Sequence, residues 1–242
     1  MAELTVNKSA SEFRKGFQAA ISIAIGYAPV ALTFGLLAKT TGLSIGETVL
    51  MSLVVYAGAS QYMSLSLLTL GTGMIEIVLT TFIVNIRHFL MSTVINDKSE
   101  EDHLFNKAMY SFGITDETFS VASMKEGRLT TGFMFGLNLL SYMSWVICSG
   151  IGYVIGASLP QTLQESMSIA LYAMFIGLLV PSMKKSIKIV FLAVVAGCFN
   201  TVFTITNALS TGWAIVVATL LSAIIIELIE GLKKKQRGNE HD

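Results

Sequence analysis

The sequence predicts an all-α fold: a polytopic transmembrane helix bundle with about seven membrane segments. Three observations carry this. Of 242 residues, 53% are hydrophobic and 13% charged, with mean hydropathy +0.67, whereas a soluble domain carries about 25% charged residues. The charges are also bunched, leaving 16–38, 48–75, 129–164, 166–183 and 189–226 without any. A bilayer core roughly 30 Å thick takes about 20 residues of helix. In lipid each backbone group must be satisfied within its own segment, so these runs read as helices.

The first segment, 17–38, follows Arg14 and Lys15. A basic pair before an apolar run imitates a secretion signal, but a signal core spans only about 7–15 residues, so this run is kept as a mature segment. Pro29 in GYAP (26–29) lacks a backbone N–H and is expected to interrupt the helix. The second segment, 48–73, holds the small and polar cluster YAGASQ (56–61). It reads as one long tilted helix or as a re-entrant hairpin. Discontinuous or re-entrant helices are therefore expected in the first third.

The third segment, 77–96, contains Arg87 and His88. Between it and the fourth lies the polar stretch 97–128. Its beginning, Asp97 to Asp102, reads as an exposed loop, and 105–124 reads as a helix dipping into the protein with Asp116 and Glu117 in its middle. Segments at 129–157, 166–183, 189–207 and 212–230 follow. No low-complexity linker divides the chain, so residues 1–242 are taken as one integral membrane domain. A faint echo between FRKGF (13–17) and FNKAM (105–109) suggests repeat halves of about 13–96 and 105–183; transporters with internal repeats place their sites where interrupted helices recur.

Lysine and arginine set orientation. The tail KKKQR (233–237), the turn KKSIK (184–188) and the stretch 97–128 carry lysines, while 158–165 and 208–211 carry none. A cytoplasmic C-terminus follows. Lys8, Arg14 and Lys15 make the N-terminus look cytoplasmic too, so three plain crossings before 97–128 would break the alternation.

Several function classes are excluded. Net charge is zero, with no basic patch interleaved with aromatics, so nucleic acid is not a partner. Cys148 and Cys198 sit in apolar runs without metal-type spacing and read as small buried hydrophobes. HExxH, GxSxG and Walker A motifs are missing, and Ser60 with His88 makes a poor protease dyad, so neither an enzyme nor a cofactor is expected. Gly132/Gly136 and Gly152/Gly156 have the GxxxG spacing that lets helices approach closely.

Arg87 and His88 are the strongest functional signal. A charge at the centre of a membrane helix costs about 2.5–3.5 kcal/mol even on lenient scales, so it faces protein or a water-filled cavity. Asn85 and His88, three apart, share a helix face, and Arg87 points about 100° from His88. A guanidinium forks onto carboxylates, which suits an amino-acid or organic-acid substrate; imidazole suits proton coupling. The competing explanation is an internal ion pair with Asp116 or Glu117. Those acids, in turn, read equally as ammonium ligands, proton carriers or part of a helix start capped by Thr115 or Asp116. Gly58, Ser60 and Gln61, with Tyr56 and Pro29, complete the candidate set, and Phe34, Tyr56 and Phe82 are candidates for an apolar pocket.

Four stretches carry a resemblance: FRKGFQAAISIAIGYAPVALTFGLLA, VVYAGASQYMSLSLL, NIRHFLMS and FGITDETFSV. In this order they resemble the azaleucine-resistance (AzlC-type) family, the large subunit of branched-chain amino-acid exporters. The resemblance implies outward movement of branched-chain amino acids, in some members methionine, across the bacterial inner membrane. It implies secondary transport with a small AzlD-type membrane partner. The matching motif positions are Gly26, Pro29, Gly58, Ala59, Ser60, Gln61, Asn85, Arg87, His88, Asp116 and Glu117. The alternative is a channel or a non-transporting structural membrane subunit, which would show ion conduction or no flux. The oligomeric state stays open.

Overall fold

The computed structural model describes residues 2–155 and 186–239, with isolated positions between them. Ten α-helices and no strands occur among the described residues: α1 (Ala2–Ala19), α2 (Ile21–Thr40), α3 (Ile45–Val54), α4 (Gly58–Thr69), α5 (Met74–Lys98), α6 (Leu104–Phe112), α7 (Asp116–Met124), α8 (Thr131–Ile155), α9 (Ile187–Thr206) and α10 (Thr211–Asn239). Among the described residues, five stretches are long and apolar enough to cross a membrane: α2, α5, α8, α9 and the first 19 residues of α10. The expected segment 166–183 and the turn before it lie outside the described residues. Residues group into two compact units, one of 1–65 and 84–171, the other of 66–83 and 172–242.

In the first unit, α1 and α2 run on as one rod. Ala20 sits at the junction in right-handed conformation, and the Ala20 N–H donates to Gly16 O at 3.0 Å while Ala24 N–H donates to Ala20 O at 2.8 Å. Pro29 does not break this rod, against expectation: it lies inside α2 and is exposed. Its ring deletes only one backbone donor, and the turns on either side keep theirs; the Thr33 hydroxyl donates to its carbonyl at 2.8 Å. The helix ends on a glycine C-cap instead, with Gly42 at φ +92° and Leu43 N–H reaching back to Ala38 O at 3.0 Å.

The rod packs in parallel along α8, because the paired positions rise together in both helices. Gly16 faces the backbone of Phe133, Ala24 O accepts from the Ser144 hydroxyl at 2.8 Å, and Gly152 faces the backbone of Leu32. A Cβ on Gly16, Gly35, Gly136 or Gly152 would collide with backbone of the neighbouring helix. Small residues let the helices touch along their main chains, which is how membrane helices gain packing without a hydrophobic drive. Gly152→Ala is therefore expected to lower stability by about 1–3 kcal/mol, as overpacking does. Gly26→Ala, with nothing within 4 Å, should stay within about 0.5 kcal/mol. Thermal unfolding in detergent checks the contrast, and equal shifts would refute it.

The interruption falls at the second candidate. The segment 48–73 divides into α3, started by a Ser44/Glu47 capping box, and α4. Between them Tyr56 takes φ +39°, a left-handed conformation that costs a bulky residue on the order of 1–3 kcal/mol. The Leu53 carbonyl, freed where α3 ends, accepts from the Tyr142 hydroxyl at 2.8 Å.

The polar stretch differs from the simple loop expected. α5 continues to Lys98, Ser99 is buried, and Leu129 N–H donates to Lys98 O at 3.0 Å while Glu100 N–H donates to Leu129 O at 2.9 Å. Asp102 accepts from the hydroxyl of Thr131, from Asn106 Nδ2 at 2.9 Å and from His103 N–H at 2.7 Å. The Thr131 bond leads in holding the Asp102 carboxyl below its ordinary pKa. The Asp102 side chain and the backbone of Lys98 and Glu100 thus tie the end of α5 to the start of α8, while the side chains of Asp97, Glu100 and Glu101 are exposed. The apolar part becomes two short helices, α6 and α7, broken at Gly113–Ile114–Thr115.

In the second unit α9 and α10 form an antiparallel hairpin turned by Asn207 at φ +49° and joined by Lys188–Glu227 at 2.6 Å. Glu76 caps α10, accepting from Trp213 N–H at 2.9 Å and from the Ser210 hydroxyl. No described residue of α9 is buried, and Phe191, Val194, Val202 and Ile205 are exposed, the surface expected of a helix facing lipid.

Candidate functional site

The two helix breaks of the first unit, α3–α4 and α6–α7, supply residues to one polar and aromatic cluster. At the second break Thr115 is the N-cap of α7, with a capping box to Thr118. That cap turns Asp116 and Glu117, the first two residues of α7, toward different partners. Asp116 Oδ2 pairs with Arg87 Nη1 of α5 at 2.8 Å. Glu117 Oε2 accepts from the Tyr27 hydroxyl of α2 at 2.6 Å. Tyr27 has only one proton to give, so the Thr115 hydroxyl, also at 2.6 Å, donates to Tyr27.

Arg87 is half-used. One guanidinium nitrogen holds Asp116, while Nε is buried and has no hydrogen-bond partner among the described residues. The fork geometry that binds a carboxylate with two nitrogens is thus unclaimed on its Nε edge. His88, next to it on α5, is half-buried and within electrostatic reach of Glu117. Asn85 Oδ1 accepts from the Ser60 hydroxyl of α4 at 2.7 Å.

The first break lies against this cluster through aromatic rings. Tyr56 is 3% exposed and packs on Tyr142 (4.9 Å between ring centroids) and Phe112 (6.2 Å). Its hydroxyl is buried and makes no hydrogen bond of good geometry among the described residues, although Tyr27 and Glu117 lie within its electrostatic range. Tyr27 meets Trp145 of α8 edge-on at 5.2 Å. Gly58 opens α4 against Trp145, and a Cβ there would come within 2.7 Å of the indole ring. Gln61 is fully buried: Trp145 Nε1 donates to its Oε1 at 2.9 Å, and its Nε2 donates to Ser52 Oγ at 3.1 Å. Ser52 in turn donates to Ser149 Oγ at 2.9 Å.

Of the residues expected from sequence, Arg87, His88, Asn85, Asp116, Glu117, Ser60, Gln61, Gly58 and Tyr56 lie in or against this cluster. Pro29 does not: it is exposed on α2. Phe34 is buried against Tyr62 at 5.8 Å, and Phe82 is 64% exposed. Tyr27, Thr115 and Trp145 were not among the expected ligands. Tyr27 sits inside GYAP, and no local pattern pairs it with a carboxylate 90 positions away.

The family described as AzlC protein matches residues 22–159, which includes every member of the cluster. The chain is 34% identical over 226 residues to a membrane protein of Archaeoglobus fulgidus, covering 91% of this chain and 96% of that one. It is 30% identical over 229 residues to the inner membrane protein YgaZ of Escherichia coli, covering 90% and 92%. To the branched-chain amino acid transport protein AzlC of Bacillus subtilis it is 26% identical over 180 residues, covering 73% and 70%. No solved structure matches the chain significantly.

Proposed function

The chain belongs to the AzlC family of membrane proteins, and from that premise we propose that it exports branched-chain amino acids, and methionine with them. It acts as the large subunit beside a small AzlD-type membrane partner, by secondary transport across the bacterial inner membrane. Support comes from the relative named as a branched-chain amino acid transport protein and from the chemistry of the cluster. A small zwitterion with an apolar side chain needs a cation, an anion and rings or aliphatic groups around it. The carrying observation is the unclaimed Nε edge of Arg87, whose Nη1 holds Asp116. In this reading that edge receives the substrate carboxylate while Nη1 keeps Asp116.

Efflux from dipeptide-loaded cells tests the reading. Cells with this chain and the neighbouring small subunit should release leucine, isoleucine, valine or methionine saturably and several-fold faster than cells without it. Ion conductance without saturable amino-acid efflux would overturn it in favour of a channel.

The same proposal sets topology. α3 and α4, of 10 and 12 residues, each reach about half of a roughly 30 Å core at ~1.5 Å per residue. Taken as a re-entrant pair, they leave α2 and α5 as the two crossings before residue 97. The N-terminus, the 97–107 region and the C-terminus then share the cytoplasmic side, as their lysines require. Cysteines placed at the exposed Glu101 and at Asn239 should resist an impermeant thiol reagent in intact cells and react after permeabilisation. Reaction from outside at either position would reverse the orientation.

A further inference from the structure

The two acids of the TDET turn are adjacent in sequence but not equivalent in chemistry. Asp116 is already neutralised by Arg87. Glu117 has no cation within ion-pair distance among the described residues; it is held by a neutral hydroxyl, and Oε1 accepts no hydrogen bond from them. Glu117 is half-buried, and a partly desolvated carboxylate without a counter-charge favours a cation that completes it. The start of α7 and the Tyr27 hydrogen bond ease that cost without supplying a full positive charge.

What surrounds Glu117 has the character of an ammonium site. The Tyr56 hydroxyl is buried, lacks a well-formed hydrogen bond and lies within electrostatic range of Glu117. Its backbone is held in a strained left-handed turn that fixes the ring there. The rings of Tyr27, Trp145, Tyr142 and Phe112 pack around these groups. A primary ammonium needs an anion, an extra hydroxyl acceptor and π-faces that favour a desolvated cation, and all three are present. We propose that Glu117, with the Tyr27 and Tyr56 hydroxyls, is the subsite for a substrate's primary ammonium group, while Asp116 serves only Arg87. This rests on the amino-acid reading for its physiological ligand, though the subsite itself requires only an amine.

The test is binding to the purified full-length protein, read by thermal shift or calorimetry. Three probes are used: leucine, 3-methylbutylamine (which lacks the carboxylate) and 4-methyl-2-oxopentanoate (which lacks the ammonium). Wild type should bind leucine best, the amine more weakly, and the oxo acid at least tenfold more weakly than leucine. Glu117→Gln, which keeps the size and the hydrogen-bond acceptor, should abolish amine binding and weaken leucine at least tenfold. Tyr27→Phe should weaken both several-fold. If Glu117→Gln does not accumulate, Glu117→Asp, with its charge retained but withdrawn, must weaken amine binding in the same direction.

The outcomes separate the two ideas. Amine binding lost in Glu117→Gln while wild type ignores leucine, isoleucine, valine and methionine would uphold the subsite and end the amino-acid reading. Leucine and amine bound equally by wild type and folded Glu117→Gln would end the subsite and leave amino-acid transport standing. An oxo acid bound as tightly as leucine, or a wild type that binds neither leucine nor the amine, also overturns the subsite.

Discussion

Arg87→Ala is expected to lower both the amount of protein and its transport, and the two losses should separate on second-site rescue. Removing the guanidinium leaves Asp116 without its 2.8 Å partner. Breaking a fully buried pair costs about 3–5 kcal/mol. With side-chain exposures of 37% and 23%, screening reduces that to about 1–2 kcal/mol, enough to change abundance several-fold. The reversed pair, Arg87→Asp with Asp116→Arg, should recover abundance because it restores the attraction. It should not recover efflux, because the free Nε edge now projects from α7 instead of α5. Arg87→Lys should keep abundance near wild type, since an ammonium still pairs with Asp116. Efflux should fall about tenfold or more, as an ammonium has no second fork edge for a carboxylate. Western blotting together with initial efflux rates decides the matter. Normal efflux from Arg87→Ala at normal abundance removes Arg87 from the site, and full efflux from the reversed pair makes its role purely structural.

The parts of this arrangement that could be read in advance are those with a local cause. Uncharged runs of membrane length marked the long helices, because lipid permits few alternatives. A guanidinium and an imidazole inside an otherwise apolar segment marked Arg87 and His88 for the same reason. The break at Tyr56–Ala57 was visible as small and polar residues crowded into one segment. Pro29 misled because a proline's effect depends on whether neighbouring turns keep their bonds, which is a tertiary matter. The polar stretch misled in the opposite way: Glu100 and Asp102 look like loop residues until Leu129 and Thr131 arrive to bond them. Least legible of all was the division of labour between Asp116 and Glu117. It depends on Tyr27 lying beside one and Arg87 beside the other, contacts across 90 and 29 positions that leave no periodic trace.

Gln61→Leu is the second change expected to matter most. Both ends of the Gln61 amide are used inside the protein, one by the Trp145 indole and one by Ser52. Leucine fills similar volume but leaves the Trp145 N–H buried without an acceptor, which costs about 1–3 kcal/mol, or a fall of about 2–12 °C in thermal midpoint for a chain of this size. Trp145→Phe deletes that donor and so removes the reason for the penalty. The double variant should therefore be more stable than the sum of the single losses predicts, by about 0.5–3 kcal/mol, as groups in direct contact are. Strict additivity would show that the hydrogen bond contributes nothing. The effect should also reach the ligand. Trp145 packs edge-on against Tyr27, and Tyr27 donates to Glu117, so a tilted indole moves the hydroxyl that orients the carboxylate. Gln61→Leu should accordingly weaken amine binding several-fold, without touching Glu117 itself. A variant that loses thermal stability but binds 3-methylbutylamine as wild type does would confine the Ser149–Ser52–Gln61–Trp145 chain to holding α3, α4 and α8 together.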